Sequence, residues 1–298
     1  MTNHDRRRHQ AGLALAAMAA TAWSLSGLFT RLISADVLTL LFWRGLASGT
    51  AVMLVVLYLE RGNFIATIRA MRWPSFAVMF FSAAGMVTGI GAMRYTSVAE
   101  AMVIYATAPF ATAALAYVFI GEKPSRSTML AAVVALIGVT VMVSNGGGAG
   151  SNFGRVLAVF MSLSLAGTAI VLRKNHDVQM LPAMGASAWL CSAFCFFFAS
   201  GLAITPENFW LTMVFGIVQN AVGLVLFTFG SKRMPASEAA LLAALEVPLA
   251  PLWVWLFLSE RPALTTLVGG IIVLAALFAH IAVEVRGTRP SRSTPDLA

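Results

Sequence analysis

Residues 94–137 read RYTSVAEAMVIYATAPFATAALAYVFIGEKPSRSTMLAAVVALI, and residues 232–275 read KRMPASEAALLAALEVPLAPLWVWLFLSERPALTTLVGGIIVLA. An offset of 138 carries Glu100, Glu122, Lys123 and Pro124 onto Glu238, Glu260, Arg261 and Pro262. Each copy opens a long apolar run with a glutamate, places a proline near the middle, and closes on Glu-Lys/Arg-Pro before a second apolar run. Four coincident polar positions on one offset mark an internal duplication.

The rest of the chain extends the pattern outward from these copies. Only 11% of the residues are charged and 59% are hydrophobic, with mean hydropathy +0.83. A soluble domain carries roughly 25% charged residues, so most of this surface faces something other than water. Ten apolar runs read as membrane spans, at 11–33, 37–59, 73–92, 97–120, 127–144, 155–172, 181–203, 208–230, 236–258 and 263–284. Their length suits a hydrocarbon core of about 30 Å, and their uniform apolarity is that of helices rather than barrel strands. Arg6, Arg7 and Arg8 precede the first run, but its length and the nine runs after it read as an uncleaved span, not a signal peptide.

With the N-terminus placed in the cytoplasm, fifteen of the twenty Lys and Arg fall on the inner side and four on the outer, with Arg44 inside a span. That bias predicts both termini in the cytoplasm, and it accounts for the net charge of +8 without a nucleic-acid partner. Five spans per half is an odd number, so the two halves must be inverted. The expected fold is all-α integral membrane, a five-plus-five inverted repeat. Residues 1–143 form the first half, 144–152 a Gly-rich linker, 153–284 the second half and 285–298 a cytoplasmic tail. The linker glycines follow no strand and precede no Lys-Ser/Thr, so they are not read as a phosphate cradle.

Inverted repeats are a signature of secondary transporters, whose substrate site lies near the midplane at interrupted helices. Pro109 and Pro248 each lie twelve residues into their spans. Each removes a donor and frees a carbonyl, which must find a partner or line a wet cavity. Glu246, ten residues into its span, lies about 15 Å from the end. A charge there costs about 2.5–3.5 kcal/mol on insertion scales, so it is either protonated or paired with a cation or substrate amine. Trp23, Ser24, Gln219 and Asn220 reach similar depth, and Ser164 and Thr168 extend the set, although serines and threonines also serve as packing. Arg44, about 10 Å below the outer surface, has two open readings: snorkelling towards Asp36 for structure, or contact with substrate. Tyr105, one turn from Pro109, is the aromatic chosen to contact substrate, ahead of Phe80, Phe81, Met86 and Trp189. Glu100 reads as a helix start in a capping box, Ser97-x-x-Glu100.

Cys191 and Cys195 share a helix face and read as packing residues. His4, His9, His176 and His280 are scattered, so neither a metal site nor a cofactor is expected. No stretch calls for a partner subunit, and a monomer is compatible with every reading above.

The chain resembles the EamA-type members of the drug/metabolite transporter superfamily. The resemblance rests on Trp23-Ser-Leu-Ser-Gly27, Phe42-Trp43-Arg44, Met93-Arg-Tyr-Thr-Ser97, and the paired Gly-Glu122-Lys-Pro and Ser-Glu260-Arg-Pro, in that order across ten spans. It implies an exporter with both termini cytoplasmic and a cavity that opens alternately to either side. Within that group the chain looks most like amino-acid exporters, including those for aromatic amino acids, in a bacterial inner membrane. The expected substrates are small zwitterions. In that reading Glu246 attracts the amine, Gln219 and Asn220 bond the polar end, and Trp23 and Tyr105 contact the side chain. Proton coupling through Glu246 and uniport both stand open. A multidrug or organic-cation exporter is the alternative; a membrane enzyme or a channel is the alternative of a different class.

Overall fold

The computed structural model describes residues 3–143, 151–175 and 179–287. It contains ten membrane-length helices: Arg6–Leu32, Val37–Glu60, Trp73–Tyr95, Val98–Ile120, Arg126–Val143, Asn152–Lys174, Met180–Phe198, Pro206–Ser231, Glu238–Leu258 and Leu264–Val283, numbered here spans 1 to 10. Most of the linker, residues 144–150, lies outside the described residues, as do His176 and residues 288–298 of the tail. Ser151 caps span 6 by accepting from Gly154 N at 3.1 Å.

Local sequence explains where the helices start and stop. Asp36 accepts from Thr39 N at 2.9 Å and Leu38 N at 3.3 Å to open span 2. Burial opposes its charge, but the Thr39 backbone and hydroxyl and the Leu38 N–H together hold its carboxyl below the usual range. Ser97 opens span 4 by accepting from Glu100 N, and Thr205 opens span 8. Spans 4 and 9 end in left-handed residues at positions related by the same offset of 138, Gly121 (φ 79°) and Ser259 (φ 56°).

Packing reproduces the duplication. Three contacts tie span 1 to span 9 at a constant separation of 229 residues: His9–Glu238 (2.6 Å), Ser24–Trp253 (2.8 Å) and Arg31–Glu260 (2.8 Å). A constant positive separation means the two helices run in the same direction. Spans 4 and 6 repeat this arrangement, with Glu100–Arg155 at 3.2 Å and Ile104 O accepting from Ser162 at 3.1 Å. The partner of each helix thus comes from the other half. Spans 2 and 7 pack antiparallel, as do spans 5 and 10, each helix against its own counterpart. Spans 5 and 10 approach so closely at Gly138 and Gly269 that a Cβ on Gly269 would lie 2.4 Å from the Gly138 carbonyl. Small residues let backbones meet where lipid supplies no hydrophobic drive. The result is an all-α bundle with the pseudo-symmetric contacts of an inverted repeat.

The four ion pairs among the described residues all belong to these two parallel pairs. Glu238–His9 and Glu260–Arg31 bolt the ends of the 9/1 pair, while Glu100–Arg155 and Glu122–Arg173 bolt the ends of the 4/6 pair. The four glutamates are those of the duplicated motif. This corrects the capping-box reading of Glu100. Its backbone N–H is capped by Ser97, but its carboxylate, 1% exposed, accepts from Thr96 and Arg155 instead of turning back to the cap.

Candidate functional site

Three spans are broken within their length and a fourth changes pitch. Span 4 divides at Ala106–Thr107 into Val98–Tyr105 and Ala108–Ile120; span 9 divides at Leu245 into Ala236–Ala244 and Glu246–Leu258. At both breaks the ladder tightens to a three-residue bond, Thr107 N to Ile104 O (3.0 Å) and Leu245 N to Leu242 O (3.2 Å), again related by 138. Pro109 and Pro248 sit in the first turn of the following segments, where a missing N–H costs no helical bond. Span 1 breaks at Leu25 without a proline. Span 8 contains a π-helical stretch, Phe215–Val222, of the kind that often accompanies functional sites.

These interruptions surround a cavity of about 430 Å³, within the usual range of small-molecule sites. Its lining includes Trp23, Arg44, Tyr105, Thr168, Gln219, Asn220 and Glu246 from the sequence reading. Four predicted residues do not line it, each for a physical reason. Ser24 is fully buried, accepting from Trp253 Nε1 and donating to Thr21 O. Ser164 is buried and its carbonyl takes the Thr168 hydroxyl. Pro109 is exposed on the outside of the bundle, and Pro248 also lies away from the lining, so both prolines act on the backbone and not as cavity walls.

Arg44 overturns the snorkelling reading. It is 4% exposed and donates through Nη2 to Gln219 Oε1 at 2.7 Å, with its guanidinium 4.7 Å over the Phe215 ring. Asp36 is occupied with its helix cap. The mount beneath Arg44 is itself stacked, Phe29 on Phe215 at 5.1 Å. The π-helical stretch sets this register: Gln219 and Asn220 both turn inward, Gln219 Nε2 donating to Trp23 O at 3.5 Å and Asn220 to Ser48 Oγ. Across the cavity Glu246 begins the second segment of span 9, with the Tyr105 hydroxyl facing its carboxylate. Among the described residues, neither Arg44 nor Glu246 belongs to an ion pair.

The remaining lining lies outside the residues chosen from sequence, although Phe81 and Met86 were among the candidates passed over for Tyr105. Met86, Met93, Met102, Met161, Met180 and Met184, with Phe81 and Phe227, make the walls apolar and adaptable. A signal existed: Ser82, Gly85, Met86, Gly89, Ile90 and Met93 recur at three- and four-residue spacing along span 3, one helix face. Depth is also legible. The lining near the 33–36 loop (Ser26, Arg44, Ile90, Met93 and Met102) is buried, whereas Met180, the first residue of its helix, and Phe227 are only partly so. The cavity therefore extends to the face that carries the N-terminal end of span 1. At the far face it is roofed by polar contacts: Arg94 to Thr30 O and Ala35 O, Arg31 to Thr96 O, and Asn208 Nδ2 to Ser34 Oγ.

The sequence pattern of the EamA-like transporter family matches twice, over residues 10–144 and 152–281, once per half. An uncharacterized transporter of Archaeoglobus fulgidus is 29% identical over 192 residues, 63% of this chain and 68% of its own. The pseudopaline exporter CntI of Pseudomonas aeruginosa is 21% identical over 192 residues, 63% of this chain and 67% of its own. One solved crystal structure aligns over 94% of this chain and 99% of its own with a TM-score of 0.66 at 18% identity, a likeness of fold alone.

Proposed function

The chain belongs to the EamA-like transporter family, a multi-pass secondary transporter of the alternating-access type and not an enzyme, and from that premise we propose that it exports small zwitterions, amino acids with apolar or aromatic side chains among them. The observation that carries this reading is a cavity with one basic and one acidic side chain among its described lining, neither in an ion pair among the described residues, between walls of Met and aromatic side chains. Glu246 takes the amine beside Tyr105, and the Met-rich wall with Trp23 and Phe227 takes the side chain. One relative, 21% identical, is named a pseudopaline exporter, so the direction proposed is outward. The lysine and arginine bias supports both termini on the cytoplasmic side of a bacterial inner membrane, which makes the open face of the cavity the cytoplasmic one. The duplication supports functional halves at 1–143 and 153–284.

An organic-cation exporter would use Glu246 and the aromatic residues as a cage. The buried Arg44 in the same cavity disfavours it, since a lipophilic cation would meet a like charge in a medium of low dielectric. The test is purified protein in liposomes with a panel of labelled amino acids and competing lipophilic cations. Saturable uptake of apolar amino acids above empty liposomes is expected, with Glu246→Gln at least roughly tenfold slower. Uptake at the level of empty liposomes across the panel removes the substrate class.

A further inference from the structure

Resting on that reading, we propose that Arg44 is the anchor for the substrate's carboxylate, which makes a free carboxylate a requirement for transport and not an accessory of it. An arginine carries five N–H donors in a planar fork suited to two parallel bonds with a carboxylate. Here one donor is used, on Gln219, and Nε is buried with no hydrogen-bond partner among the described residues. The titratable neighbour beside the guanidinium is Cys191, not an acid. A buried charge left this bare is costly unless a ligand completes it.

The surroundings hold the fork in place for such a ligand. Phe215 supports its flat face, and Phe29 supports Phe215. Gln219 has its amide oriented by Trp23 O, so its oxygen points to Nη2. Gly216 lets span 8 approach the Arg44 carbonyl, where a Cβ would lie at 2.6 Å. Gln219 is therefore a positioning residue, its oxygen committed to Arg44. This revises the polar-end role expected of it. Charge balance selects the ligand class. Arg44 is the one basic and Glu246 the one acidic side chain among the described lining. A zwitterion neutralises both, whereas a phosphate dianion would leave a net negative charge in the bilayer.

The experiment uses four probes with one side chain: phenylalanine, its methyl ester, phenethylamine and 3-phenylpropionate. Competition in liposomes and thermal stabilisation in detergent are measured for the wild type, Arg44→Gln and Arg44→Lys. The wild type is expected to be stabilised by 3-phenylpropionate and to bind phenylalanine roughly tenfold or more tightly than the ester or the amine. In Arg44→Gln the preference collapses and the stabilisation by 3-phenylpropionate disappears, while phenethylamine binds as well or better. Arg44→Lys keeps part of the preference and controls for folding. An ester that competes as well as the acid, or Arg44→Gln with a wild-type KM for phenylalanine, overturns the anchor and leaves amino-acid export standing. If no amino acid is transported, the functional reading falls. The anchor then survives only if 3-phenylpropionate stabilises the wild type and not Arg44→Gln, and is overturned otherwise.

Discussion

The two faces of the bundle are fastened by duplicated glutamates, yet the fastenings differ. At the far face Arg31 grips Glu260 with two nitrogens, at 2.8 and 3.1 Å, and Arg155 grips Glu100 with two, both at 3.2 Å. At the face carrying the N-terminal end of span 1, Glu122 meets Arg173 through a single 3.0 Å contact with side chains 45% and 55% exposed, and Glu238 meets a histidine. Equivalent positions therefore sit in unlike surroundings. The contrast is sharpest within the 4/6 pair, where Glu100–Arg155 is buried and Glu122–Arg173 is exposed on the side to which the cavity extends, while Arg31–Glu260 and His9–Glu238 are both partly exposed. Duplication supplies the same acid at both ends; conformation decides what that acid is worth. In the opposite conformation of an alternating-access protein the two environments should exchange.

The largest expected effect comes from breaking the far-face tie. Arg155→Ala leaves Glu100 buried without its cation and should cost about 3–5 kcal/mol. Arg173→Ala, its counterpart in the same 4/6 pair, should cost about 0–1 kcal/mol. Thermal unfolding of both variants in detergent measures the contrast, and equal losses would show that the faces do not differ as described.

Helix starts provide a second comparison. Span 2 is capped by Asp36, whereas its counterpart span 7 begins after Gln179 with no side-chain cap. Asp36→Ala should cost about 1 kcal/mol at neutral pH and Gln179→Ala close to nothing. Because the Asp36 carboxyl is held below its usual range, its contribution is present above that range and fades as pH falls through the depressed folded value. Melting curves of wild type and Asp36→Ala should thus converge in acid.

The smallest effect concerns the two left-handed helix ends. Gly121 adopts its conformation freely, while Ser259 adopts it against its Cβ. Ser259→Gly should raise stability by about 0.5 kcal/mol, and Gly121→Ser should lower it similarly. A melting shift of the same sign for both variants would contradict the pairing of these positions.

The ten spans, their inversion and the paired breaks in spans 4 and 9 were legible because each has a one-dimensional signature: an apolar run, an odd count, a repeated proline. Glu246 and Arg44 were legible because charge within such a run stands out. The function of the duplicated glutamates was not legible, since their partners His9, Arg31, Arg155 and Arg173 lie far away in sequence and carry no shared motif. The break in span 1 and the π-helical stretch of span 8 escaped for a different reason: no proline or glycine pattern announces them. Tertiary packing around Arg44 and Trp23 is what makes them visible.

Sequence by itself determined that this chain lies in a bilayer, that it is two inverted halves, and that a polar centre sits between them, because hydropathy and duplication are written residue by residue. Tertiary structure alone decided which half supplies each helix's partner, which face the cavity reaches, and that Arg44 points inward with no counter-charge among the described residues. Those outcomes depend on distances between segments about 50 to 230 residues apart, and a linear pattern carries no record of them.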